Sequence, residues 1–184
     1  SRKDLRIYKI PFRDSLILDS IKTISFYYPE QKDFIPKNLN NNFDGEAMIY
    51  LNGKIHVFTK EWKAKATTHY TINPEDFTKQ AAEKVEIFTT NFVVTDGAIF
   101  NEKLYLVGYT KTARVYLQIF NKSEVNTFFS KQSKKYYLGS AFSIGQIEGI
   151  TVDKNGIYFS GEYFHSPLGT KKGRLFFIPF SDFN

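Results

Sequence analysis

The sequence predicts an all-β fold organised as part of a β-propeller: about three blades of four short antiparallel strands, with the chain joining in mid-blade. Three observations predict it. Aromatic residues make up 17% of the 184 positions, with 19 Phe and 12 Tyr against a single Trp and a single Met, and aromatic side chains suit a pleated, half-buried surface. A hairpin pattern recurs at a period of about fifty residues, the self-similarity that marks repeat architectures. No long 3.6-residue apolar period interrupts it.

The elements follow in chain order. "DLRIYKIPF" (Asp4–Phe12) resembles "RLFFIPF" (Arg174–Phe180) near the other end, so it reads as a third strand of a blade, and "LILDSIKTISFYYP" (Leu16–Pro29) as the fourth. "PEQKDFIPKNLNNN" (Pro29–Asn42) is a polar loop with two prolines. Then come three matched hairpins: "EAMIYLNGKIHVFTK" (Glu46–Lys60), "DGAIFNEKLYLVGYT" (Asp96–Thr110) and "EGITVDKNGIYFSGE" (Glu148–Glu162). Each begins with a carboxylate and a small residue, and the acidic anchors fall 50 and 52 residues apart. The turns are Asn52-Gly53, Asn101-Glu102 and Asp153–Gly156; Asn-Gly is a strong hairpin signal because both residues tolerate positive φ.

A third strand follows each hairpin, at Thr68–Ile72, Arg114–Phe120 and Arg174–Phe180, and a fourth follows the first two, at Glu83–Thr90 and Lys134–Ser140. "NPEDFTKQAAEKV" (Asn73–Val85) reads as a helical turn or two between strands three and four, with Pro74 near N1 and Glu75 and Asp76 in the first turn. "EVNTFFSKQ" (Glu124–Gln132) reads as a similar excursion. The expected segments are residues 1–30 (the end of a blade), 44–90 and 95–140 (complete blades) and 146–184 (an incomplete blade). A ring needs at least about four blades, so the expected partners are upstream blades in the same chain or in a second one.

Charge and composition narrow the function classes. Net charge is +6, but the 25 basic residues are interspersed with 19 acidic ones; nucleic-acid binding needs a tighter basic stripe, so none is expected. The chain has no cysteine, which excludes disulfides and zinc–thiolate sites. No apolar run approaches the roughly 20 residues of a membrane span.

In a propeller the first strands line the channel. Glu46, Asp96 and Glu148 would then recur around one mouth, with Asp44 beside them. Such a ring can serve a hard cation, and calcium, which takes oxygen ligands, is the candidate cofactor. A carboxylate at the start of an inner strand can equally accept backbone N–H groups from the next blade. The connections between second and third strands should open at the same mouth, bringing Lys60, Glu61 and Trp62, then Tyr109, Thr110 and Lys111, then Glu162, Tyr163 and His165. Lys60, Trp62, Tyr109, Glu162 and Tyr163 form the candidate ligand site, suited to a carbohydrate or protein ligand, with Trp62 as either a ligand platform or a packing wedge. His56 and His69 fall inside strands at no zinc-binding spacing. His165 lies in a loop near Glu162, where a Glu/His pair could do acid–base work. No catalytic residue stands out. Two tripeptides, Asp14–Leu16 and Asp19–Ile21, match bacterial O-glycosylation acceptors.

These motifs resemble a family of secreted β-propeller proteins of Bacteroidota. The matching stretches are Asp4–Ile10, Asp44–Ala47, Val57–Lys60 with Trp62, Thr95–Ala98 with Leu106–Tyr109, and Gln146–Gly149 with Tyr158–Glu162. The chain departs from it in carrying Gly45 where Cys is common. The "EG" strand starts are remotely similar to gluconolactonase, strictosidine-synthase-like and esterase-like phytase propellers. The resemblance implies a propeller and a secreted, periplasmic or cell-surface location. The mouth residues leave two functional alternatives: a binding or scaffold module that uses Trp62, Tyr109 and Tyr163, or a calcium-dependent lactonase or phosphoesterase with Glu46, Asp96 and Glu148 near the ion.

Overall fold

The computed structural model describes residues 2–11, 21–166 and 169–183. They form strands joined by tight turns. β1 (Leu5–Lys9) and β2 (Lys22–Tyr27) pair antiparallel, and β2 also meets the short β6 (Gln80–Ala81) in parallel. The next sheet has the order β3 (Asp44–Leu51), β4 (Lys54–Lys60), β5 (Thr67–Ile72), β7 (Glu83–Phe88). A second four-stranded meander runs β8 (Val93–Phe100), β9 (Lys103–Tyr109), β10 (Arg114–Asn121), β11 (Ser133–Ser140). A three-stranded sheet follows, β12 (Gln146–Val152), β13 (Gly156–Glu162) and β16 (Arg174–Pro179), and a hairpin of β14 (Phe164–Ser166) and β15 (Gly169–Lys171) projects from it. All-β architecture is as expected, and none of these sheets closes on itself.

The turns explain the registers. Asn52 and Gly53 take φ of 48° and 75°, and Asn101 and Glu102 take 46° and 58°. Two successive positive φ values match the twist of the flanking strands and fix a two-residue hairpin. In the third hairpin the Asp153 carboxylate accepts from Asn155 N (2.8 Å) and Gly156 N (3.2 Å), folding the turn around one side chain.

Apolar seams lie between consecutive sheets. Ile24, Phe26, Tyr28, Val57, Tyr70 and Ile72 fill the first, Ala47, Phe58, Phe92, Leu106, Phe120 and Phe128 the second, and Val107, Val115, Leu117, Ile147, Ile157 and Phe159 the third. The leading strands meet directly: Thr95 Oγ1 on β8 donates to Ile147 O on β12 at 2.7 Å. β5 is buried along its whole length, because it is an inner strand with a seam on each face.

Two expected helical excursions are absent. Between β5 and β6 the chain turns instead: Asn73 Oδ1 accepts from Glu75 N (3.0 Å) and Asp76 Oδ1 from Thr78 N (2.9 Å). Short polar side chains here capture the amides that a helix needs. Residues 124–132 form turns, in which Thr127 Oγ1 accepts from Glu124 N. The α-helix of the described residues, α1 (Ala141–Ile144), instead links β11 to β12. The stretch containing His165, expected as a loop, is the β14–β15 hairpin. The tripeptide Asp14–Leu16 and all but Ile21 of the second one lie outside the described residues, as does the start of the expected Leu16–Pro29 strand.

Candidate functional site

Three bulges build one end of the leading strands. The register of β3 against β4 shifts between Gly45 and Ala47, that of β8 against β9 between Val94 and Asp96, and that of β12 against β13 between Ile147 and Gly149. The extra residues are therefore Glu46, Thr95 and Glu148. A bulge re-aims the side chain that it inserts. Glu46 and Glu148 are structural equivalents; Asp96 sits one residue beyond the equivalent place, which Thr95 holds.

Lys60 joins the two equivalents. Its ammonium lies 3.8 Å from Glu46 Oε1, 4.0 Å from Glu148 Oε2 and 5.5 Å from the Tyr109 ring centroid, with the residue only 9% exposed. Tyr109 donates its hydroxyl proton to Glu148 Oε1 at 2.9 Å. Burial pushes the Glu46 carboxyl up to about 7; Lys60 opposes the rise, while a hydrogen bond and like charge from Asp44, and the charge of Glu148, add to it. Glu148 is also raised by burial, against the pull of Lys60 and the Tyr109 hydrogen bond. The charge of Glu162 is felt at both Glu148 and Tyr109.

Asp96 is occupied differently. Its Oδ2 accepts from Ile150 N on β12 at 2.8 Å, the sheet-to-sheet bond that was the structural alternative for the acidic anchors. Among the described residues no group of three or more carboxylates and histidines is placed to hold a metal ion.

Trp62 stands beside this cluster. Its ring centroid is 6.0 Å from that of Tyr109, and Lys111 Nζ is 5.9 Å from the Trp62 centroid. Trp62 packs its half-buried ring on the third apolar seam and also faces a cavity of about 230 Å³, whose floor is Phe92 and Val93 and whose rim carries Lys65, Asn91, Thr110, Lys111 and Thr112. Packing and exposure thus coexist in one side chain. Tyr163 is 64% exposed and is not part of that cavity's wall.

Glu61, expected on the rim, is buried. It accepts from Thr59 Oγ1 (2.7 Å) and Thr68 Oγ1 (2.5 Å). His165 Nδ1 lies 3.0 Å from Thr170 Oγ1 across its hairpin.

The sequence gives no sign of a third feature. His56 Nδ1 is 2.8 Å from His69 Nε2, and His69 Nδ1 is 3.0 Å from Glu86 Oε1. Glu86 also accepts from Phe128 N (2.8 Å) and Phe129 N (2.9 Å). His69 and Glu86 are direct cross-strand partners. Only the pairing of β5 with β7 brings them together.

No known family model matches the chain, and no curated protein or solved structure matches it.

Proposed function

We propose that this chain is a sector of an extracytoplasmic β-propeller that works as a binding module for a carbohydrate or protein ligand. The observation that carries the reading is the pairing of Trp62 with Tyr109 over a concave, partly apolar cavity rimmed by Thr, Asn and Lys side chains. Rigid aromatic walls with a few polar groups are the usual make-up of a ligand pocket.

The propeller reading is supported by successive antiparallel meanders, by equivalent bulges in their leading strands and by apolar seams between neighbours. β1 lies at the edge of its sheet. Between it and β3 lies a cleft of about 870 Å³ whose lining includes Leu5, Ile7, Tyr28 and Ala47. An unpaired edge beside such a cleft suits the upstream strands expected as partner. The extracytoplasmic location rests on the family resemblance. A calcium-dependent hydrolase loses ground: Asp96 accepts from Ile150 N, and the Lys60 ammonium already stands between Glu46 and Glu148, where a cation would have to sit.

A glycan and peptide array on the wild type, Trp62→Ala and Trp62→Phe tests the reading. Selective binding that Trp62→Ala loses and Trp62→Phe partly keeps is expected. The same featureless profile for all three would overturn it.

A further inference from the structure

We infer that the ligand of the Trp62 cavity is an anionic saccharide, a sugar carrying a carboxylate or a sulfate; this rests on the binding-module reading above. The cavity wall carries two lysines, Lys65 and Lys111, and no carboxylate. Lys111 Nζ stands 5.9 Å from the Trp62 centroid, so an anionic group that reaches it holds the ligand against that ring. Across Tyr109, Lys60 is 5.5 Å from the ring centroid and lies between Glu46 and Glu148, offsetting part of their negative charge.

The remaining surface fits a sugar rather than a bare anion. A pyranose has an apolar C–H face and a ring of hydroxyls. The Trp62 and Tyr109 rings and the Phe92–Val93 floor meet the first. Thr110, Thr112 and the Asn91 amide meet the second, with the two threonine hydroxyls fixed 3.0 Å apart. The volume of about 230 Å³ is below the roughly 300–1,000 Å³ of drug-sized sites, so the cavity takes one ring or a chain end. The net charge of +6 favours encounter with a polyanion.

Trp62 is the sole tryptophan of the chain, so intrinsic emission reports directly on the cavity. The experiment titrates the protein with galacturonate oligosaccharides, sulfated galactose oligosaccharides, size-matched neutral galactose oligosaccharides, and acetate or sulfate alone. The expected result is a Trp62 emission change, with Kd for the acidic oligomers at least tenfold below that for neutral ones. Lys111→Gln should weaken acidic ligands about tenfold and Lys111→Arg should not. Equal affinity for neutral oligomers, unchanged in Lys111→Gln, overturns the charge assignment and leaves the binding-module reading standing. An equal response to acetate or sulfate alone overturns the saccharide assignment. No response to any oligosaccharide, with a featureless array, overturns both.

Discussion

His56 and His69 meet nitrogen to nitrogen at 2.8 Å, and both side chains are sealed from solvent. His56 Nε2 faces Leu51 O at 3.2 Å, and a carbonyl oxygen can only accept, so that nitrogen carries a proton. His56 Nδ1 then accepts from His69 Nε2. His69 Nδ1 faces Glu86, which already accepts two backbone N–H groups. The chain of contacts thus runs from Leu51 O through His56 and His69 to Glu86. It ties β4 and β5 to β7 and to the loop at Phe128.

Burial makes His56 sensitive to acid. Burial, and next the charge of His69, push His56 down from 6.5 to about 4. The unfolded chain therefore takes up a proton that the folded chain refuses, and stability falls as pH drops from 6.5 towards 4. Glu86 is lowered too, by its hydrogen bonds from His69, Phe129 and Phe128 acting against burial, and loses its contribution in the same direction. Glu46, raised by burial, acts in the opposite sense, so the His56 contribution is read as the difference between wild type and variant over this range. His56→Asn should start lower but show a shallower slope, the wild-type change from His56 amounting to at most about 3 kcal/mol. Equal slopes in the two proteins would count against the assignment.

Glu86→Gln should cost about 1–3 kcal/mol in urea unfolding, because it weakens the bonds that this carboxylate accepts from Phe128 N and Phe129 N and its contact with His69. Amide exchange at Phe128 and Phe129 should accelerate with it, since their N–H groups both end on that carboxylate. Loss of stability with unchanged exchange at the two phenylalanines would place the cost elsewhere.

Glu46 works in the opposite sense to His56. Its folded carboxyl, at about 7, holds a proton more tightly than the ordinary 4.5, so its contribution is complete in acid and is lost as pH rises from 4.5 through 7. The side chain is 30% exposed, so the cost at pH 8 is discounted to about 1 kcal/mol. Glu46→Gln should leave the melting temperature nearly unchanged at pH 5 and raise it at pH 8. A decrease at pH 8 would mean that the attraction to Lys60 outweighs burial.

Turn chemistry and aromatic bias made the strands legible, since Asn52-Gly53 and Asn101-Glu102 leave little choice of register. The bend at Asn73–Gln80 was not legible. Pro74, Glu75 and Asp76 serve a helix start and a chain of Asx turns equally well, and Gln80, which donates to Asn73 O and Asp76 O, closes the bend by contacts that carry no sequence mark. Recurrence of acidic residues located Glu46 and Glu148 but misaligned Asp96 by one, because a bulge inserts a residue without any sequence mark. The histidine pair sits on neighbouring strands at a separation of 13, a spacing with no local signature.

Gly45 and Tyr28 should behave as one unit. The Tyr28 hydroxyl is buried without a hydrogen-bond partner, and a Cβ on Gly45 would lie 2.8 Å from it and 3.2 Å from Val57 Cγ1. The phenol fills the space that a side chain at position 45 would need. Gly45→Ala should cost about 1–3 kcal/mol by overpacking. Tyr28→Phe should be neutral or stabilising, because it removes an unsatisfied buried oxygen. The double variant should recover a large part of the loss, a coupling visible in a denaturation cycle. Additive effects would refute the contact.

Asp96 separates a structural carboxylate from an ion-binding one. Burial raises it and the Ile150 N–H bond, like one from Gly97, pulls it back. Its task here is to accept a hydrogen bond across the seam between β8 and β12. An amide oxygen can do that without the expense of burying charge, so Asp96→Asn should keep wild-type stability. Asp96→Ala leaves Ile150 N unsatisfied and should lose about 1–3 kcal/mol. A cation site would reverse this contrast in the presence of calcium: the wild type would gain melting temperature as the ion bound, and Asp96→Asn would lose that gain. Equal melting of the wild type and Asp96→Asn, with and without millimolar calcium, is the expected outcome, and a calcium-dependent gap between them would return Asp96 to the metal.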